Sequence, residues 1–281
     1  MPSVTTRLLS HLLAAAGGGM LSAGAPLFNL AVPKNGYRIE RDIAYGGAAR
    51  ARLDLYVPDG LSTAAPVILF FYGGSWQSGS KSIYRAFGEA FAGAGIISAV
   101  ADYRLYPEVK YPAFVEDGAQ AFRYLRANVA RHGGDPARIF VAGHSAGAYI
   151  AALLACNPEF LGGDMSAIRG AIGIAGPYDF LPLYDPALID IFGGDRVMAT
   201  QPIKYARNRT APMLLAHGTA DRTVGAGNSR RMARRLGEAG NKVELVEYPG
   251  ESHLGIILSL AHGFRSRTTL RDDMLRFVAA N

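Results

Sequence analysis

Cysteine and charged residues are both scarce in this sequence. Cys156 is its single cysteine, which excludes a disulfide framework, a thiolate zinc site and an iron–sulfur cluster. Charged residues make up 19% of the 281 residues and hydrophobic residues 49%, a balance that excludes a disordered chain and favours a large buried core. Since α/β folds often reach this length as one unit, we expect one folded domain rather than two.

Motifs for binding nucleotides and nucleic acids are also missing. Lys and Arg number 29 against 23 for Asp and Glu, which gives a net charge of +6. No zinc-finger, RRM or KH pattern and no Walker-type loop accompanies this excess, so we expect no nucleic-acid partner. Part of the excess lies on one predicted helix face, which we interpret as solvated surface: Arg230, Arg231, Arg234 and Arg235.

The amino end contains a long stretch without charged residues. No Asp, Glu, Lys or Arg lies between Arg7 and Lys34, a length that suffices to cross a bilayer about 30 Å thick. Three glycines at 17–19 and Pro26 interrupt a continuous apolar helix, so three interpretations stay open for residues 1–26: a packed extension, a signal peptide or a membrane anchor. We expect a cytoplasmic location, with export or anchoring through this segment as the alternative.

From residue 37 onward, short β-rich runs alternate with helical patterns. The later runs are continuously apolar, which is typical of parallel strands buried on both faces, whereas residues 52–57 alternate like an exposed antiparallel edge. These features predict an α/β fold with an eight-stranded, mostly parallel sheet flanked by helices. The predicted strands are 37–45, 51–57, 67–72, 96–101, 138–142, 171–175, 213–216 and 243–248.

Residues 178–211 interrupt this alternation. The segment has no clear strand and is rich in apolar and aromatic residues, which fits a helical cap over the edge of the sheet as well as an ordinary packed helical excursion. The predicted organisation is therefore an extension at residues 1–26 and a folded domain at 27–281, with a cap insertion at about 178–211.

The chemistry concentrates around Ser145. Residues 143–147 read G-H-S-A-G and match G-x-S-x-G, between a predicted strand at 138–142 and a predicted helix at 148–156. In that context the serine occupies a strained strand-to-helix turn, the nucleophile elbow, where the flanking glycines remove side chains that would clash. The alternative is a serine that only caps the following helix. We predict that Ser145 is a nucleophile.

A serine nucleophile requires a base to take its proton and an acid to orient that base. In elbow proteins the order along the chain is serine, acid, histidine. Asp221 follows the predicted strand 213–216 and His253 follows the strand 243–248. Because parallel strands end at one edge of the sheet, both loops should meet the elbow there. His262 is the rival for the base.

Acyl transfer also requires donors for the oxygen that becomes negative. Residues 72–76 read Y-G-G-S-W at the end of a predicted strand, and the paired glycines allow backbone N–H groups to point inward. We predict an oxyanion hole formed by Gly73, Gly74 and Ala146. Without the elbow, the two glycines would indicate only a turn.

Together these motifs resemble the esterase branch of the α/β-hydrolases, which includes hormone-sensitive-lipase-like, feruloyl-esterase-like and arylformamidase-like enzymes. D-Y-R-L-Y-P-E at 102–108, G-P-Y-D at 176–179 and H-G-T-A-D at 217–221 are similar to segments of that branch. The sequence departs from the pattern at Tyr72, where related enzymes often have histidine. Because the oxyanion donors are backbone groups, we expect Tyr72 to change the local hydrogen bonds or the pocket wall more than the donors.

The resemblance implies a serine hydrolase that cleaves carboxylic esters with short or aromatic acyl groups through an acyl-enzyme, with no metal or organic cofactor. Cleavage of amides by the same triad and a hydrolase-fold binding protein without turnover are the alternatives. The expected partner is a small ester substrate, and the sequence does not indicate an oligomeric state. The predicted pocket residues are Trp76, Tyr84, Tyr106, Tyr178, Phe180 and Leu254.

Overall fold

One eight-stranded sheet forms the centre of the protein in a computed structural model that describes residues 32–281. The strand order is β1-β2-β4-β3-β5-β6-β7-β8. The strands are β1 Tyr37–Ala44, β2 Arg52–Pro58, β3 Ala65–Phe71, β4 Ile97–Ala101, β5 Gly134–His144, β6 Ile168–Ile174, β7 Met213–Gly218 and β8 Val243–Tyr248. The predicted eight-stranded α/β fold is confirmed, whereas the predictions for residues 1–26 fall outside the described residues.

The sheet is parallel from β4 to β8 and antiparallel at its amino-terminal end. Strand β3 pairs with β4 and β5, and β5, β6, β7 and β8 follow in parallel. Strands β1 and β2 pair antiparallel with each other, and β2 pairs antiparallel with β4. The carboxyl ends of the parallel strands therefore open onto one edge.

The prediction of an exposed antiparallel edge at residues 52–57 was wrong in two respects, its position in the sheet and its exposure. This strand is antiparallel, as expected, but it lies between β1 and β4 and is almost entirely buried. Its polar position, Asp54, is 1% exposed and lies 2.6 Å from the ammonium of Lys81. The alternation therefore reflects a buried ion pair rather than a solvated face.

Helices flank the sheet. Their bounds are α1 Arg85–Ala92, α2 Ala113–Asn128, α3 Ala146–Cys156, α4 Pro158–Leu161, α5 Pro186–Phe192, α6 Pro202–Tyr205, α7 Gly227–Glu238, α8 His253–Leu258 and α9 Leu270–Ala280. Short 3₁₀ helices occupy Lys81–Tyr84, Val129–His132, Gly162–Ala167, Met198–Thr200 and His262–Arg267.

Helix α3 is the central helix of the core. All of its residues are buried, and it contacts β5, β6 and α2. Its sequence is small and apolar on every side, as expected of a helix with no solvated face. Because α3 is fixed on all sides, the turn that precedes it is held rigidly relative to the sheet.

The segment between β6 and β7 consists of α5, α6 and one 3₁₀ turn. Asp185 caps α5 by accepting the backbone N–H groups of Ala187 and Leu188. Phe192, at the end of α5, packs edge-on against Trp76 with 4.9 Å between ring centroids. The segment is thus helical and contacts the loop after β3, although its extent as a cap insertion stays a prediction.

The arginines of α7 form ion pairs on a largely solvated face. Arg230 pairs with Glu247 and Arg231 with Asp179, while Glu238 lies near two further arginines of the helix.

In the part of the chain from 32 to 281, none of the helices combines the length and apolarity needed to span a bilayer.

Candidate active site

Ser145 occupies a sharp turn between β5 and α3. Its backbone has φ 54° and ψ −121°, a region that non-glycine residues rarely adopt, and its N–H donates to the carbonyl of Ile174 at 2.9 Å. A Cβ at Gly147 would lie 2.0 Å from the carbonyl oxygen of Phe71, and one at Gly143 would lie 2.2 Å from the backbone of Gly147. These contacts explain why glycine flanks the serine on both sides.

Asp221 and His253 are in direct contact. Asp221 follows β7, and its Oδ1 accepts the backbone N–H groups of Thr223 and Val224, each at 2.9 Å. His253 is the first residue of α8, and its Nδ1 lies 2.7 Å from Oδ2 of Asp221. The two residues that sequence order selected as acid and base are therefore brought together.

The carboxyl group of Asp221 is held in its ionised form. Burial by itself would raise the pKa of Asp221, but hydrogen bonds from His217, from His253 and from the backbone N–H of Val224 outweigh it. The pKa of Asp221 is therefore well below its usual range. A permanent carboxylate beside His253 can hold that imidazole in one orientation.

The loop of His253 also lies against the elbow. The Nε2 atom of His144, the neighbour of Ser145, is 2.9 Å from the carbonyl oxygen of His253, and the two imidazole centroids are 4.8 Å apart. The rival base, His262, is exposed and lies 3.5 Å from Arg265 on a 3₁₀ helix. The structure thus associates His253, and not His262, with the acid and the elbow.

Residues 72–79 follow β3 and form a loop, here called the glycine loop, that packs directly on Ser145. A Cβ at Gly73 would lie 2.8 Å from the Cβ of Ser145, so a side chain there would displace the serine. The N–H of Gly73, however, donates to the hydroxyl of Tyr84 at 3.3 Å. The prediction of Gly73 as an oxyanion donor is therefore corrected, because its N–H already has an acceptor. Gly74 and Ala146 stay as the candidate donors.

Comparisons with known proteins identify the family of this chain. The family model named BD-FAE matches residues 53–236. The chain belongs to the BD-FAE family. Its resemblance to the esterase branch of the α/β-hydrolases is thereby confirmed.

Relatives and solved structures with similar sequences are esterases by name. A probable isoprenylcysteine alpha-carbonyl methylesterase of Oryza sativa subsp. japonica is 32% identical over 244 residues, which cover 78% of this chain and 57% of that protein. Carboxylesterase NlhH of Mycobacterium tuberculosis is 38% identical over 125 residues, 44% of this chain and 39% of the relative. The apo form of Thermogutta terrifontis esterase 2 superposes with a TM-score of 0.72 at 29% identity, covering 88% of this chain and 96% of that one. The chain spans little more than half the length of the first curated relatives.

Tyr72 of this BD-FAE chain has a charged partner. Its hydroxyl accepts a hydrogen bond from Nη2 of Arg50 at 2.6 Å, and the same guanidinium donates to the carbonyl of Gly79 at 2.8 Å. The hydroxyl of Tyr103 donates to the backbone carbonyl of Tyr72 at 2.8 Å, with the two rings stacked. Arg50 therefore fixes both ends of the glycine loop, a role for which the sequence carries no motif.

Four of the predicted pocket residues have contacts that can be described. Trp76 stacks on Phe180 with 6.0 Å between centroids. Tyr106 is half-buried, and its hydroxyl lies near Asp190 of α5. Leu254 is half-buried and directly follows His253. The assignment of these side chains to a substrate pocket stays a prediction.

Two of the predicted pocket residues belong elsewhere. Tyr178 has no exposed surface, and its hydroxyl would lie 1.9 Å from a Cβ at Gly173, so it is a core residue beneath β6. Tyr84 is 8% exposed, and its hydroxyl lies between the N–H of Gly73 and Nδ1 of His144. Tyr84 therefore supports the glycine loop instead of forming a pocket wall.

His217 is also part of the site. Its Nε2 lies 3.2 Å from Oδ2 of Asp221 and 2.7 Å from the carbonyl of Val224, while its Nδ1 lies 2.7 Å from the hydroxyl of Ser229. These contacts place His217 at the end of β7 as a structural hydrogen-bonding residue. His217 and Asp221 are the two ends of the H-G-T-A-D motif, but the motif by itself does not indicate that their side chains lie together.

Proposed function

We propose that this protein is a serine hydrolase that cleaves carboxylic esters, with Ser145 as nucleophile, His253 as base and Asp221 as the acid that orients it. The observation that carries the proposal is the 2.7 Å contact between Nδ1 of His253 and Oδ2 of Asp221. That contact keeps a proton on Nδ1 and leaves Nε2 as an acceptor for the hydroxyl proton of the serine.

In the first half-reaction, Oγ of Ser145 bonds to the carbonyl carbon of the ester while Nε2 of His253 takes the hydroxyl proton. The carbonyl electron pair moves onto oxygen, where the N–H groups of Gly74 and Ala146 stabilise it. The intermediate then collapses, the bond to the alcohol oxygen breaks, and His253 returns the proton to that oxygen. The products are a free alcohol and an acyl ester on Ser145.

In the second half-reaction, water takes the place of the alcohol. The oxygen of water attacks the acyl carbon while His253 takes a proton from that water. The bond between the acyl carbon and Oγ of Ser145 then breaks. The proton then passes to Oγ, which releases a carboxylic acid and regenerates the hydroxyl. Throughout, the negative charge of Asp221 stabilises the imidazolium that forms twice in each cycle.

We expect short or aromatic acyl groups to be the preferred substrates. Trp76 is 3% exposed and packs against Phe180, Phe192 and Tyr149, a cluster that would limit the depth available to a long chain. The relatives include methylesterases and a carboxylesterase by name. Those names support ester hydrolysis but not one particular ester for this chain.

The test compares the unmodified protein with Ser145→Ala on p-nitrophenyl esters of acetate, butyrate, octanoate and benzoate. We expect turnover of the short and aromatic esters and a loss of at least about 10³-fold in kcat for the variant. Ser166→Ala is the matched control, since Ser166 is an exposed serine that hydrogen-bonds only locally to Gly163. Ester turnover that survives Ser145→Ala would contradict the proposal.

Labelling with a fluorophosphonate probe separates a hydrolase from a binding protein. The probe should label the unmodified protein and Ser166→Ala, and it should not label Ser145→Ala. Formanilide substrates run beside the esters distinguish amide from ester cleavage. A higher kcat/KM on formanilides would reject the ester assignment while keeping the same nucleophile.

A further inference from the structure

A chain of hydrogen bonds links the glycine loop to the loop of His253 through the elbow. The N–H of Gly73 donates to the hydroxyl of Tyr84 at 3.3 Å, and that hydroxyl lies 3.2 Å from Nδ1 of His144. Nε2 of His144 lies 2.9 Å from the backbone carbonyl oxygen of His253. Three segments that are far apart in the sequence are thus joined beside Ser145.

The directions of these bonds follow from which atoms can donate. A carbonyl oxygen only accepts, so Nε2 of His144 must carry the proton. In a neutral imidazole the other nitrogen then accepts, which makes the Tyr84 hydroxyl the donor to Nδ1. The same hydroxyl oxygen keeps a lone pair that accepts the N–H of Gly73. Each of these three hydrogen bonds therefore joins one donor to one acceptor.

His144 is well suited to stay neutral. It is 1% exposed, and burial together with the neighbouring imidazole of His253 lowers the pKa of His144 to about 3. The groups that face it are Tyr84, His253 and, further away, Asp221 and His217. A neutral ring 4.8 Å from His253 does not oppose the positive charge that His253 acquires during turnover.

We propose that His144 and Tyr84 are positioning residues that hold the glycine loop and the backbone of His253 in a fixed position relative to Ser145. The proposal rests on the function proposed above, because it assigns the support of that same site. Neither side chain touches the reacting atoms in the proposed steps. Their effect would come from geometry, since a displacement of about 1 Å at a catalytic group can cost about 10²-fold in rate.

Two substitutions at His144 each remove a different one of its two hydrogen bonds. The amide nitrogen of glutamine reaches about as far as Nε2, so His144→Gln keeps a donor for the carbonyl of His253 but loses the acceptor for Tyr84. The amide of asparagine reaches about as far as Nδ1, so His144→Asn keeps the acceptor and loses the bond to His253. Tyr84→Phe removes the hydroxyl and leaves both of its partners unpaired.

We expect kcat to fall by about 10- to 100-fold in His144→Asn and Tyr84→Phe, while KM changes less than about threefold. His144→Gln and Tyr84→Phe break the same link, so the double variant should cost no more than the worse single one. Losses that multiply in the double variant would show two independent roles and overturn the proposal. Loss of kcat only in proportion to loss of folded protein, followed by thermal unfolding, would overturn it as well.

The controls separate this inference from the proposed function. His262→Gln changes an exposed histidine outside the chain of bonds and should leave kcat and KM unaltered. If the unmodified protein hydrolyses esters, Ser145→Ala does not, and the Tyr84 and His144 variants match the unmodified enzyme, the function stands and the positioning role falls. If the unmodified protein hydrolyses neither esters nor formanilides, both fall together.

A measurement on the unmodified protein does not depend on activity or on how the variants fold. Nitrogen-15 NMR of the imidazoles distinguishes a ring protonated at Nε2 from one protonated at Nδ1. The ring of His144 should stay neutral with its proton on Nε2 from about pH 5 to pH 9. A proton on Nδ1, or titration of His144 within that range, would reverse the inferred bond directions and overturn the proposal.

Discussion

His217 and His253 contact the same oxygen of Asp221. Oδ2 lies 2.7 Å from Nδ1 of His253 and 3.2 Å from Nε2 of His217, while Oδ1 accepts two backbone N–H groups. The carboxylate therefore accepts three hydrogen bonds, from His253 and from two backbone N–H groups, and the ring of His217 lies against Oδ2. A carboxylate held on this many sides has little freedom to rotate, which makes it a rigid support for His253.

Removing the ring of His217 should loosen that support. His217→Ala leaves Ser229, the carbonyl of Val224 and one side of Asp221 without a partner in a fully buried position. We expect the free energy of unfolding to fall by about 1–3 kcal/mol and kcat to fall by about tenfold. Urea unfolding and initial rates on p-nitrophenyl acetate measure the two effects.

His217→Gln is the matched control for that variant. The amide nitrogen of glutamine can donate to the carbonyl of Val224, as Nε2 of His217 does, and its second N–H can point towards Asp221. It should therefore recover most of kcat relative to His217→Ala. Equal rates in both variants would mean that the contact with Asp221 does not matter for turnover.

The lowered pKa of Asp221 predicts how stability depends on pH. Because the folded-state pKa is below the unfolded value of about 3.9, the ionised group stabilises the fold at neutral pH, and this stabilisation is lost as the pH falls below about 4. The difference in unfolding free energy between the unmodified protein and Asp221→Asn should shrink over that range. Urea unfolding of both proteins from pH 7 to pH 3 measures it. A difference that grows as the pH falls would have the wrong sign.

The sequence predicted those parts of the protein that are determined by local patterns. Continuous apolar runs gave the buried parallel strands, and the glycines around Ser145 indicated the elbow, because both depend on residues close together in the chain. The order of serine, acid and histidine, together with the position of each residue after a predicted strand, predicted Asp221 and His253, which the structure brings to 2.7 Å.

The parts that the sequence did not predict depend on distant partners. Asp54 read as an exposed position because nothing near it in the sequence identifies Lys81 as its buried counter-charge. Tyr84 was predicted as a pocket residue because its aromatic character is visible in the sequence, whereas the acceptor role of its hydroxyl depends on Gly73 and His144. Side-chain hydrogen bonds between remote segments leave no periodic signal.

The glycine after the elbow is required for steric reasons. In Gly147→Ala the added Cβ would approach the backbone carbonyl of Phe71 to 2.0 Å, and a backbone atom at a strand end cannot move aside cheaply. We expect loss of ester turnover and a marked fall in the midpoint of thermal unfolding. Gly163→Ala is the control, since no atom lies within 4 Å of its Cβ position. Similar stability of the two variants would contradict this reading of the elbow.

The buried ion pair of Lys81 anchors the 3₁₀ helix that carries Tyr84. Its ammonium lies 2.6 Å from Asp54 in β2 and 2.7 Å from Asp42, and the Asp54 side chain is almost fully buried. Lys81→Met would leave the carboxylate of Asp54 without this partner, and such a loss costs about 3–5 kcal/mol. Urea unfolding measures that cost directly.

The double variant Lys81→Met/Asp54→Leu tests whether the unpaired charge of Asp54 causes the loss of stability in Lys81→Met. It removes both buried charges and replaces them with apolar side chains, so it should recover much of the stability lost in Lys81→Met. Kinetics on the same proteins would show whether this anchor also supports the site, because Tyr84 closes the helix that Lys81 opens. A double variant less stable than the single one would mean that packing around Lys81, and not its charge, holds this helix on β2.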